Sequence, residues 1–138
     1  MSDLSTLTGE WVMLNPSYSA ECKFDGDVYP NIVMAVEASK FPKGRRIPFI
    51  AGGSRAANYG FAEPYTDKQL EVLEELLRRR FSEGSVFYAK LLETGDEELV
   101  YENKVHRNWY GSCTCARCMN VEGQNHVGKI LVRIREGK

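Results

Sequence analysis

The stretch that most restricts what this chain can fold into is Cys113-Thr-Cys115-Ala-Arg-Cys118, which sets three of the four cysteines within six positions. The C-x-C-x2-C spacing suits a metal, because a short loop can aim several thiolates at one tetrahedral centre. Disulfides are the poorer reading. The chain shows no secretory signal, transit peptide or apolar span of ~18 residues. It is therefore expected in the cytoplasm, where thiols stay reduced. Reduced structural thiols are the alternative to a metal site. Zinc is the ion such ligands suit, and Cys22, His106 and His126 are the candidates for a fourth ligand. Just ahead of the cysteines lies Trp109-Tyr-Gly111, and just after them Gly123-Gln-Asn125-His-Val-Gly128. A large aromatic, clustered thiols and a glycine–asparagine turn in succession read as the wall of a site.

At 138 residues, 43% hydrophobic and 27% charged, the chain has the makings of one soluble globular domain, residues 1–138, with a core that needs no staples. A formal charge of −1 argues against a general nucleic-acid or membrane-surface binder, since both draw on a large positive field. The basic spots are local. Lys43-Gly-Arg45-Arg46 sits in a glycine-rich region, and Arg78-Arg79-Arg80 falls on a predicted helix rich in glutamate, as a solvated face.

Local signals predict a mostly helical α+β fold with a small β-hairpin region near the N-terminus. Glu10–Leu14 reads as a short strand. Asp25-Gly26 reads as a hairpin turn between Glu21–Phe24 and Val28-Tyr29, because glycine accepts positive φ. Pro30 opens a helix over Asn31–Phe41 that Pro42 ends. Residues 42–65 read as irregular apart from a helical turn at Ser54–Asn58, closed by Gly60. Thr66 and Gln69 form a capping box ahead of a helix over 67–81, carried by Leu70, Leu73, Leu76, Leu77 and Phe81. A shorter helix spans Val86–Glu93, with Gly95 beyond its end, and Leu99–Tyr101 reads as a strand. The last apolar run fits either period, and Asn125 as an N-cap favours helix.

In this order, the elements resemble the NADAR/YbiA-like superfamily of N-glycosidases. Asp25-Gly-Asp-Val-Tyr-Pro30 is similar to its D-G-x-x-Y/W-P hairpin, and Ala38-Ser-Lys40-Phe41 to its A-x-K-F helix end. Arg80-Phe81 through Leu91-Leu-Glu-Thr-Gly95 resembles its K-F…L-L-x-T-G segment. Leu99-Val100, Trp109, Gly123–Gly128 and Arg133-Ile-Arg135 resemble its final block. The resemblance implies the family's fold and hydrolysis of an N-glycosidic bond in an ADP-ribosyl or phosphoribosyl compound, such as an ADP-ribosylated guanine or an intermediate of riboflavin synthesis. The implied partner is a small nucleotide or an ADP-ribosylated base, with nucleic acid only as a modified substrate, no membrane and no required cofactor. The chain also departs from the pattern. Val33 and Met34 stand at the family's glutamate and histidine, Glu37 at its glutamine, His106 at its aspartate, and Tyr110 at the glycine after its tryptophan. These departures give a second expectation, a catalytically degenerate protein that binds or sequesters an ADP-ribose- or NAD-derived nucleotide.

Breaking a ribosyl N–C bond builds positive charge on the sugar, which a carboxylate stabilises. Alternatively, an amine can attack the opened sugar aldehyde to form a Schiff base. Lys40 is the candidate amine and Glu37 the candidate carboxylate, three residues apart on one helix face. A solvated Glu–Lys pair that merely supports the helix competes with this role. His106 is a candidate acid–base group. Trp109 could stack on a base or serve as core. Asn125 and Gly123 belong to the turn whose helix amides favour phosphate. Arg55 is the candidate phosphate contact, with Lys43, Arg45 and Arg46 competing for that role.

Overall fold

In a computed structural model, residues 7–52 and 54–138 are described. Gly53, part of the stretch read as irregular, lies outside the described residues. The chain forms two compact units. One is Pro16–Leu77. The other combines the segment ending at Asn15 with Arg78–Lys138.

The Pro16–Leu77 unit begins with the predicted hairpin. Strands β1 (Cys22–Phe24) and β2 (Asp27–Tyr29) pair antiparallel, with Phe24 opposite Asp27. Asp25 and Gly26 both adopt positive φ, 52° and 85°, which is the signature of a type I′ turn. Helix α1 (Ile32–Ala38) follows, and its N-cap Asn31 accepts a hydrogen bond from Met34 N. Pro30 thus precedes the cap instead of occupying the first helical turn. The helix is also shorter than expected. Lys40 N and Phe41 N reach back three residues, to Glu37 O and Ala38 O, so the last turn tightens before Pro42.

Residues 42–65 are more regular than the glycine content suggests. They hold a 3-10 turn (Lys43–Arg45), helix α2 (Ile47–Ala51) and helix α3 (Ser54–Phe61), with Gly60 inside α3. Gly52, at φ 78°, closes α2 as a left-handed cap. Phe41, stacked on both Phe49 and Tyr59, supplies the apolar contact that favours this packing over an open loop. Helix α4 (Asp67–Arg80) starts at the predicted capping box, where Thr66 N donates to Gln69 Oε1 at 2.8 Å.

In the other unit, Gly9–Leu14 is a 3-10 turn, not a strand. Trp11 N bonds Thr8 O and Asn15 N bonds Val12 O. The backbone groups are therefore satisfied locally, and the side chains pack on helix α5 (Val86–Leu92), with Lys90 Nζ 4.6 Å from the centre of the Trp11 ring. Helix α6 (His126–Arg135) resolves the ambiguous C-terminal run as a helix that buries Val127, Ile130, Leu131 and Ile134. The predicted strand at Leu99–Tyr101 shifts: β3 is Glu102–Asn103, paired in parallel with β4 (Ser112–Cys113). No helix among the described residues is long and apolar enough to cross a membrane.

Candidate functional site

Glu37, Lys40 and Arg55 belong to the Pro16–Leu77 unit; His106, Trp109, Gly123, Asn125 and the three clustered cysteines belong to the other. Each group is built differently.

Glu37 is fully buried on α1. Its Oε1 lies 2.7 Å from Lys40 Nζ and its Oε2 accepts from the Tyr65 hydroxyl at 2.7 Å. The Lys40 amine also donates to Gly60 O and Glu63 O, both at 2.9 Å, and sits 3.4 Å from the centre of the Tyr65 ring. The side chain of Lys40 is 3% exposed, so the solvated helix pair is not what forms. All three amine protons have acceptors. Burial lowers the Lys40 pKa from its ordinary 10.5, opposed first by the Glu37 hydrogen bond and charge and then by Glu63. The partners from residues 60–65 lie twenty or more positions away, beyond the reach of any helix periodicity. Gly60 is required here by space: a Cβ would lie 2.8 Å from both Glu37 Cβ and Oε1.

Next along the same unit, a cavity of about 520 Å³ is lined by Arg45, Pro48, Arg55, Ala56 and Tyr59. Arg45 and Arg55, competitors for a phosphate in the sequence, share this cavity. Arg45 Nη2 donates to the Tyr59 hydroxyl at 2.8 Å. Arg46 has another task. It is buried, donates from Nε to Phe41 O and pairs through Nη1 with Asp25 at 2.7 Å. Lys40 borders this wall indirectly, since its acceptor Gly60 follows Tyr59 in α3.

In the other unit, His106 and the three cysteines converge. Their four ligand atoms all lie within 4.8 Å of one another. His106 Nδ1 is 3.3 Å from Cys118 Sγ, 3.5 Å from Cys115 Sγ and 3.8 Å from Cys113 Sγ. Such a cluster can hold a metal ion. His106 is the fourth member; His126 instead places Nε2 3.0 Å from Gln124 Oε1. Cys22 belongs to the Pro16–Leu77 unit. The four cysteines form no disulfide. Burial raises the Cys113 thiol, but hydrogen bonds from Cys115, the His106 N–H and the Cys118 thiol outweigh it and bring the pKa to about 6. Cys118 moves up, through burial first and then its hydrogen bond with Cys113.

The remaining candidates have structural partners. Asn125 is the N-cap residue of α6, yet it is left-handed (φ 50°) and its side chain makes no cap bond. Instead, its Oδ1 accepts from Tyr101 N at 3.1 Å and its Nδ2 donates to Leu99 O at 3.0 Å. The amide thus pairs with the backbone of Leu99 and Tyr101 much as a neighbouring strand would. Gly123 packs where a Cβ would meet Gly111 O and Ser112 Cα. Trp109 is half-buried, edge-on to Tyr110 at 5.0 Å between ring centres and 4.9 Å from the His126 ring. Burial, then Lys129 and Arg133, lower the His126 pKa.

Neither any family model nor any curated protein matches the chain. Among solved structures, the fold is similar to that of the E. coli protein YbiA determined by NMR, at 22% sequence identity over 94% of this chain and 79% of that one, with a TM-score of 0.72.

Proposed function

We propose that this chain binds a phosphorylated ribosyl compound, of the ADP-ribosyl or phosphoribosyl kind, and hydrolyses its N-glycosidic bond. The observation that carries this reading is the cavity of about 520 Å³ with Arg45, Arg55 and Tyr59 in its wall and Pro48 and Ala56 as apolar lining. Two guanidiniums suit a phosphate or pyrophosphate, a tyrosine ring suits a base or ribose, and the volume is that of a small-molecule site. The reaction class is taken from the motif resemblance, and the YbiA-like fold is the fold which that resemblance implies. In that reaction water adds to the anomeric carbon as the N–C bond breaks, and the departing base keeps the electron pair and takes a proton. Glu37 is the carboxylate assigned to the developing sugar cation. In the alternative route Lys40 is the amine that displaces the base from the ring-opened sugar as a Schiff base, the base leaving with a proton. Water then hydrolyses the imine to free the lysine. His106 is the acid–base candidate of the other unit only while no metal occupies the cysteine cluster it faces, with Trp109, Asn125 and Gly123 as the substrate-binding candidates there. Water is the only co-reactant, so no cofactor is required. The partner is a small nucleotide or modified base in the cytoplasm.

One observation favours a second reading, in which the nucleotide is bound without turnover. Both Glu37 oxygens and all three Lys40 protons already have partners within 3 Å. A charged, fully bonded amine is not a nucleophile. On this reading the pair holds α3 in place, and Val33 and Met34 mark a disarmed helix.

The full chain should be incubated with ADP-ribosylated guanosine, NAD and ADP-ribose, with base release followed by chromatography and binding by calorimetry. Base release that falls by orders of magnitude in Lys40→Arg supports hydrolysis. Binding without release, weakened at least tenfold by Arg55→Ala, supports sequestration. Neither binding nor release overturns both.

A further inference from the structure

We propose that His106, Cys113, Cys115 and Cys118 form a structural zinc site that fixes the loop carrying Trp109. A tetrahedral ion with Zn–S near ~2.3 Å and Zn–N near ~2.0 Å requires ligand–ligand edges of roughly 3.5–3.8 Å. The three Nδ1-to-sulfur distances, 3.3, 3.5 and 3.8 Å, are already close to those edges. Three thiolates and one imidazole are also the donor set that selects zinc over hard cations. The set is closed, because the protein supplies all four positions, so the ion holds structure and offers no site to a substrate.

The surroundings are those of a ligand shell. His106 N donates to Cys113 Sγ at 3.3 Å and Asn108 Nδ2 to Cys118 Sγ at 3.5 Å, while Asn108 Oδ1 accepts from Cys113 N at 2.8 Å. N–H donors of this kind neutralise thiolate charge and orient the ligands. His106 holds φ 64°, a left-handed conformation that a non-glycine residue adopts at a cost. β3 and β4 also run parallel although only residues 104–111 connect them, whereas parallel strands normally need a connection of about a dozen residues or more. A four-coordinate ion at the end of this tight connection compensates for both.

The site is joined to the Trp109 loop through backbone bonds. Asn108 O accepts from Gln124 N, Trp109 O from His126 N, and Tyr110 O from Val127 N. A metal at Cys113–Cys118 therefore fixes the entry to α6 as well as the tryptophan.

The test uses the full chain, expressed with zinc and purified under reducing conditions. Metal analysis should give one zinc per chain, and cobalt replacement should give the strong visible bands of a tetrahedral ion with thiolate charge transfer in the near ultraviolet. Cys115→Ser and His106→Ala should each lose most of the metal, whereas Cys22→Ser should keep it. Should Cys115→Ser fail to fold, cobalt titration of the unaltered chain decides. In Trp11→Phe, where Trp109 is the remaining tryptophan, chelation should shift the emission to the red. An unaltered chain without metal and with free thiols, a weak octahedral cobalt spectrum, or equal loss of metal in Cys22→Ser would each overturn the proposal.

Discussion

The two polar clusters of this chain differ in how their atoms are matched. At Glu37–Lys40, opposite partners meet: amine protons face a carboxylate and two carbonyls, and the second carboxylate oxygen faces a hydroxyl. At His106–Cys118, like meets like, because four electron-pair donors converge with only weak hydrogen bonds among them. A network of opposites is complete and specifies the packing around it. A convergence of donors is incomplete until a cation joins it. Matching, more than burial or charge, is what distinguishes the two clusters here.

The largest expected effect breaks the closed cluster. Lys40→Met leaves the Glu37 carboxylate buried without its cation and should cost about 3–5 kcal/mol in urea denaturation. The double variant Glu37→Gln with Lys40→Met removes the stranded charge and should recover more than half of that loss. Equal loss in both variants would mean that packing of the lysine chain, and not charge pairing, holds the cluster. In the other unit, Asn125→Ala strips both Leu99 O and Tyr101 N of their partner and should cost about 1–3 kcal/mol. Faster amide exchange confined to Leu99–Tyr101 would locate the effect. Gly60→Ala drives a methyl against Glu37 and Phe49 and should cost about 1–3 kcal/mol, with weaker ligand binding if α3 carries the cavity wall.

The smallest effect is one of pH. The Arg46 hydrogen bond holds the Asp25 carboxyl below its ordinary 3.8, despite some opposing desolvation. A depressed carboxylate pKa contributes stability that is fully present above the unfolded value and lost as pH falls through the folded one. Asp25→Asn should therefore flatten the stability curve below about pH 4 and change its slope little near neutrality. An unchanged acid limb would show that Asp25 and Arg46 are not paired in solution.

What could be read from the sequence was local. The Asp25-Gly26 hairpin, the Thr66/Gln69 capping box and the thiol spacing each depend on residues within a few positions of one another, and each forms as expected. Glu10–Leu14 reads as a strand because Trp11 to Leu14 is a short apolar run, while its hydrogen bonds close over three residues. Helix α2 is obscured by the glycine that caps it, Gly52. Helix α3 is legible as the turn at Ser54–Asn58 and runs on to Phe61, because Gly60 serves as a close contact and not as a stop. Lys40 was legible as Glu37's neighbour, but its acceptors from Gly60 and Glu63, and Tyr65 beside it, depend on tertiary folding. Asn125 illustrates the same limit: its place at the helix start was readable, while its side chain works on Leu99 and Tyr101, more than twenty residues earlier.

The hairpin turn has a further consequence, in chemical ageing. Asp-Gly is the dipeptide in which the following backbone nitrogen most readily attacks the side-chain carboxyl, closing a succinimide that reopens mainly as isoaspartate. That attack needs a carboxyl that is free to rotate and, for best reactivity, protonated. Arg46 opposes both requirements, since it grips Oδ2 at 2.7 Å and keeps the group ionised. The buried arginine thereby protects the covalent integrity of an exposed turn, and a chain lacking it would accumulate an extra backbone methylene at Asp25 during storage.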